Sequence, residues 1–170
     1  GARKKKLILV DHNELTQAVD GMEEAEIIEI IDHHRIGSIE TMGPVFFRNQ
    51  PLGCTATIIY QMYRESGVEL TEKIAGLLCS AILSDTLIYR SPTCTDTDRE
   101  AAEALAEIAG IDTEQYAAEM FAAGSKLSSK SPEEIFYQDY KKFIAEDEIN
   151  FGVGQISSMD SDELAEIKER

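Results

Sequence analysis

Ile27-Ile28-Glu29-Ile30-Ile31-Asp32-His33-His34 decides how the chain folds. Its first five residues have the length and branched apolar composition of a buried strand, and the run ends without a break on a carboxylate and two imidazoles. A similar run, Lys6 to Val10, comes earlier and leads directly into Asp11. Only a short amphipathic stretch, Glu14 to Met22, separates the two. Strand, short connection, strand is the βαβ pattern, which places the strands parallel and sends both aspartates out at one sheet edge. In open α/β sheets that carboxyl edge is where ligands bind. The expected fold class is α/β, a parallel sheet flanked by helices.

Outward from this pair, Pro44 to Arg48 reads as a third strand, and Asn49-Gln50-Pro51-Leu52-Gly53 as a loop. Thr55 to Glu65 and Thr71 to Ser84 read as helices, with Thr55 and Thr57 as N-caps. Both have wide apolar faces, and the second is so nearly apolar throughout Ala75 to Leu83 that burial is expected. Arg90-Ser91-Pro92-Thr93 breaks the chain. Thr97 with Glu100 then reads as a capping box opening a helix, and Asp112 with Gln115 opens another that ends near Ala123. Residues 125–131 read as a linker between a first domain, 1–124, and the start of a second, 132–170. Ser131-Pro132-Glu133-Glu134 is a helix start. Lys142 to Ala145 and Ile149 to Ile156 read as strands, and Asp160 with Glu163 opens a last helix. This tail is too short to close a core by itself.

Composition bounds the function. The 170 residues are 43% hydrophobic and 28% charged, a globular balance. Thirty-two acidic residues against sixteen basic give a net charge of −16, which argues against coating a nucleic-acid backbone. An anion could still bind where a metal or local cations invert the field. No apolar run is long enough to span a bilayer. Cys54, Cys79 and Cys94 are odd in number and widely spaced, which suggests free thiols in a reducing cytoplasm.

The candidate chemistry clusters at the strand ends. All three histidines follow strand-terminal aspartates: His12 after Asp11, and His33 and His34 after Asp32. Imidazoles beside carboxylates supply metal ligands, acids, bases or anion partners, although strand-end histidines also simply solvate an edge. Asp85 closes the most apolar helix, where the macrodipole is negative and a carboxylate needs a cation. A metal would meet that need, as would pairing with Arg90. Asp11, His33 and Asp85 form a mixed oxygen and nitrogen set that suits manganese, iron or zinc. Lys141 is either a solvated lysine at a strand start or a point charge for a phosphate.

Taken together, Val10-Asp11-His12-Asn13-Glu14, Ile31-Asp32-His33-His34, Pro51-Leu52-Gly53-Cys54-Thr55-Ala56-Thr57 and Ala81-Ile82-Leu83-Ser84-Asp85-Thr86 resemble the family II, manganese-dependent inorganic pyrophosphatases of the DHH phosphoesterase superfamily. Arg90-Ser91-Pro92-Thr93 and Asp139-Tyr140-Lys141 continue the match. The resemblance implies that Asp11 bridges two metals, that His33 and Asp85 are ligands of one, and that His34 and Lys141 contact substrate phosphate. It makes Asp32 a structural partner of the motif. The implied reaction is hydrolysis of pyrophosphate to two phosphates, with manganese as cofactor and cobalt or magnesium as alternatives. A homodimer is implied too, as is regulation by adenine nucleotides through CBS domains outside this chain.

Two of the family's motifs are missing, a His-x-Asp-x-Asp strand and a Ser-Arg-Lys segment. The expectation is an internal stretch of the enzyme with essentially no activity alone. Two other readings stand beside it. One is a DHH exophosphoesterase acting on short oligonucleotides or nucleotides, whose Gly-Gly-Gly-His signature the chain lacks. The other is a non-catalytic α/β module for dimerisation or regulation.

Overall fold

The computed structural model describes residues 5–124, 130–144, 150–156 and 164–165. The chain forms two compact units, Gly1–Ala117 and Ala118–Arg170.

In the first unit, β1 (Lys6–Val10), β2 (Glu26–Asp32) and β3 (Phe46–Asn49) form a sheet in that order, with both pairings parallel. The α/β class follows the sequence expectation. Because all three strands run the same way, Asp11, the Asp32-His33-His34 run and the loop after Asn49 emerge at one edge. α1 (Thr55–Ser66), α2 (Glu72–Asp85) and α3 (Asp96–Ala109) follow, and α4 (Thr113–Gly124) passes the boundary between units.

Several local expectations are corrected. The Glu14 to Met22 stretch is not an α-helix but lies across two 3-10 turns, Leu15–Gln17 and Met22–Glu24. Neither turn has a side-chain cap, and Gly21 between them adopts φ 84°, which ends helical propagation. Met22 joins Leu9 and Ile30 in a small core on one sheet face. β1 is not buried on both faces: Leu9 is buried, while Ile8 and Val10 are exposed. It is the outer strand of the described sheet, and alternate residues point to opposite sides.

α2 is likewise buried along one stripe only. Ala75, Cys79, Ile82 and Leu83, spaced by four, three and one, are fully buried against α3 and α1, whereas Leu77 is 61% exposed. The capping box of α3 is Thr95 with Asp98, not Thr97 with Glu100. Thr95 has the extended backbone an N-cap requires, and Thr97 already lies inside the helix. α1 is capped by Cys54, whose Sγ accepts from the Ala56 N–H, so Thr55 and Thr57 are released for other bonds. The three cysteines are free, with Cys54 and Cys79 buried and Cys94 partly so.

In the second unit, α5 (Pro132–Tyr137) starts with the expected capping box, Ser131 with Glu134. β4 (Tyr140–Ile144) pairs antiparallel with β5 (Asn150–Gly154), and the Phe143 and Phe151 rings stack across the pair at 5.4 Å. Most of the expected linker, the connection between the two expected strands and nearly all of the last helix lie outside the described residues.

Candidate metal centre

Asp11 leaves β1 with φ 68°, a left-handed conformation unusual for a residue with a side chain. Its N–H still donates to the Ile31 carbonyl at 3.0 Å, extending the β1–β2 pairing by one step. Its Oδ1 accepts from Thr55 Oγ1 at 2.8 Å and lies 3.4 Å from His33 Nε2. Thr55 begins α1, so the carboxylate sits at a helix N-terminus, where the dipole favours negative charge.

Asp32, with no solvent exposure, anchors the two histidines. Its Oδ1 accepts from the N–H groups of His33 and His34 and from His34 Nδ1 at 2.8 Å, and its Oδ2 accepts from Asn13 Nδ2. Burial, the largest influence, works to raise the Asp32 carboxyl. The bonds from His34, Asn13 and the two N–H groups outweigh it and hold the carboxyl below the ordinary carboxylate range.

Each imidazole is oriented through the same atom. His33 Nδ1 donates to the Leu52 carbonyl at 2.8 Å, His12 Nδ1 to the Val10 carbonyl at 3.0 Å and His34 Nδ1 to Asp32. A carbonyl only accepts, so Nδ1 carries the proton in His12 and His33, and a carboxylate makes the same demand of His34. Nε2 is left with a lone pair, the arrangement metal-binding histidines use.

Asp11, His33 and His34 each offer a ligand atom within 4.8 Å of the others. Asp85 lies outside that triplet but in its field. Burial pushes its carboxyl above the ordinary value and the Asp11 carboxylate adds to the rise, against the Cys54 thiol, which donates to it. The described structure thus gives Asp85 a partner in Cys54. Two carboxylates that repel each other, beside imidazoles with free lone pairs, are a donor set a divalent cation fits.

Behind Asp85 the chain makes a left-handed turn: Leu87, Ile88 and Tyr89 have φ of 49°, 52° and 63°. Such residues cost about 1–2 kcal/mol each. Buried Thr86 holds the turn, accepting from the Tyr89 N–H through Oγ1 and from the Ser91 N–H through its carbonyl. Lys141 belongs to the second unit, where its exposed ammonium lies 3.9 Å from Asp139.

Sequence reasoning missed the parts played by Asn13, Leu52, Cys54 and Thr55. Their partners lie 19 to 44 residues away along the chain, and only Thr55 carried a signal, a hydroxyl at a helix start.

Residues 2–82 match the DHH family, N-terminal domain, and residues 118–170 match the DHHA2 domain. The chain carries a DHH domain followed by a DHHA2 domain. A manganese-dependent inorganic pyrophosphatase of Methanothrix thermoacetophila is 49% identical over 168 residues, 99% of this DHH chain and 54% of its own. A cobalt-dependent inorganic pyrophosphatase of Clostridium perfringens is 51% identical over 165 residues, 97% of this chain and 30% of its own. A crystal structure from Methanococcus jannaschii, assigned to the family II inorganic pyrophosphatases, superposes with a TM-score of 0.84 at 41% identity, covering 99% of this chain and 58% of that one. The DHH chain spans about half the length, or less, of the curated relatives it matches.

Proposed function

We propose that this chain carries a divalent-metal site of an enzyme that hydrolyses inorganic pyrophosphate to two phosphates. The observation that carries the reading is the Asp11, His33 and His34 cluster at the carboxyl edge of the sheet, with Asp85 in its field. The names of the relatives point to pyrophosphate as substrate and to manganese as the ion, with cobalt as an alternative.

Asp11, His33 and Asp85 would hold the ion. When bound, it offsets phosphate charge and lowers the pKa of water. Asp11 joins this set beside the α1 N-terminus, and Asp32 holds the backbone of His33 and His34 and aims the His34 ring. His34 Nε2 and the exposed ammonium of Lys141 are the proposed phosphate contacts. The net charge of −16 disfavours the oligonucleotide reading. The proposal includes a homodimer in a reducing cytoplasm and adenine-nucleotide control through domains outside this chain. Sedimentation and nucleotide titration of the full-length protein check these.

The central test assays phosphate release by a protein of the relatives' length carrying this chain. Manganese-dependent release from pyrophosphate is expected, with a dinucleotide left intact and Asp11→Ala or His33→Ala inactive though folded. Cleavage of the dinucleotide in preference to pyrophosphate would reverse the reading. Unchanged manganese affinity in Asp85→Asn would remove Asp85 from the ligand set.

A further inference from the structure

Asp98 is wholly buried in the first turn of α3, outside the metal cluster, and accepts more bonds than capping its own helix requires. Its Oδ2 accepts from the Thr95 N–H at 2.8 Å, which with the Asp98 N–H donating to Thr95 Oγ1 makes the capping box, and from Thr95 Oγ1 at 2.7 Å. The same oxygen also accepts from the Gly53 N–H at 2.8 Å, 45 residues away, and Oδ1 accepts from Thr57 Oγ1 at 2.6 Å. The Gly53 N–H and the Leu52 carbonyl belong to one peptide group, and that carbonyl accepts the proton of His33 Nδ1 at 2.8 Å. There are no cis peptide bonds among the described residues, so the N–H and C=O of this group point in opposite directions from a rigid plane. One peptide is therefore fastened to a buried carboxylate on one side and to an imidazole on the other.

We infer that Asp98 is a positioning residue for His33, acting through the Leu52–Gly53 peptide as a carboxylate–peptide–histidine relay. An ionised acceptor strengthens the bond to the Gly53 N–H, and hydrogen bonds in series polarise one another, so the Leu52 carbonyl becomes a better acceptor for Nδ1–H. The imidazole is held in one tautomer and orientation, with Nε2 toward Asp11. Carboxylates bonded directly to a metal-binding histidine do the same work. The close approach also explains Gly53: a Cβ there would lie 2.9 Å from Asp98 Oδ2, 2.9 Å from Thr86 Cγ2 and 3.1 Å from Cys94 Cα. Thr57, on the other carboxylate oxygen, ties α1 to α3 without touching the peptide.

The consequence for metal affinity rests on the proposed site, whereas the relay itself is read without metal. The experiment is nitrogen-15 NMR of the ring nitrogens in the histidine-labelled 170-residue chain, with manganese affinity measured by calorimetry. In the wild type, His33 is expected as the Nδ1–H tautomer; finding Nε2–H would overturn the relay at once. Asp98→Asn is expected to shift the His33 ring resonances toward a tautomer mixture and weaken manganese binding roughly 10- to 100-fold. Gly53→Ala, which displaces the peptide and leaves the carboxylate in place, is expected to do the same and serves if Asp98→Asn does not fold. Thr57→Val should lower stability and leave the His33 signals alone, which a purely structural Asp98 would not distinguish. Unchanged His33 resonances in a folded Asp98→Asn or Gly53→Ala chain would overturn the inference. Changed resonances in a chain whose wild type binds no manganese would support the relay and sink the metal reading instead.

Discussion

Asp32 and Asp98 are fully buried carboxylates whose bonds come from protein donors. For Asp98, burial works to raise the carboxyl, but Thr57, Thr95 and Gly53 together hold it below the ordinary value. It releases its proton more readily folded than unfolded, so its contribution is complete above the ordinary carboxylate pKa of about 3.9 and disappears as pH falls through the lowered native value. Urea denaturation from pH 7 to pH 2 should show stability falling below about pH 4, with a flatter acid limb in Asp98→Asn. At the metal cluster, manganese at a hundredfold excess over its dissociation constant should stabilise the chain by about 2.7 kcal/mol. Thermal melts should show that shift in the wild type and not in His33→Ala. That Asp11 and the Asp32-His33-His34 run meet at one sheet edge was legible because a strand end and the residues after it are adjacent in sequence. The Leu52 carbonyl and Asn13 were not, since no local pattern encodes a bond across the sheet edge.

At the element scale, the start of α3 shows how two overlapping signals compete. Thr95 with Asp98 and Thr97 with Glu100 share one spacing, and only the first pair lies where the backbone is extended. Thr95→Ala should cost about 1 kcal/mol or more, because it removes a cap and a donor to a buried carboxylate. Thr97→Ala should change stability little, and paired chemical denaturation measures both. The parallel pairing of β1 with β2 was readable from composition and connection length, whereas the place of β3 beside β2 was not. The character of α2 was not, because a nearly continuous apolar run does not say which face will find a neighbour. Ile82→Ala should cost about 2–5 kcal/mol, while Leu77→Ala on the exposed side should stay within about 0.5 kcal/mol. Comparable losses at the two positions would mean that α2 is covered on both sides.

Across the whole molecule, an excess of sixteen negative charges makes cations welcome and anions dependent on local relief. The chain divides into its two compact units at Ala117, within the continuous helix α4. The free thiols of the first unit supply an internal clock. Burial raises the pKa of all three, and they differ in access: Cys94 is partly exposed, while Cys54 at the head of α1 and Cys79 inside α2 are closed off. Alkylation needs an accessible thiolate, so each reaction rate records how often its surroundings open. Alkylation followed by mass spectrometry should find Cys94 modified first, with Cys54 and Cys79 later and in step if the unit opens all at once. Manganese should slow that later step. If Cys54 runs well ahead of Cys79, the sheet edge breathes on its own, and metal entry and exit can proceed without unfolding the helices behind it.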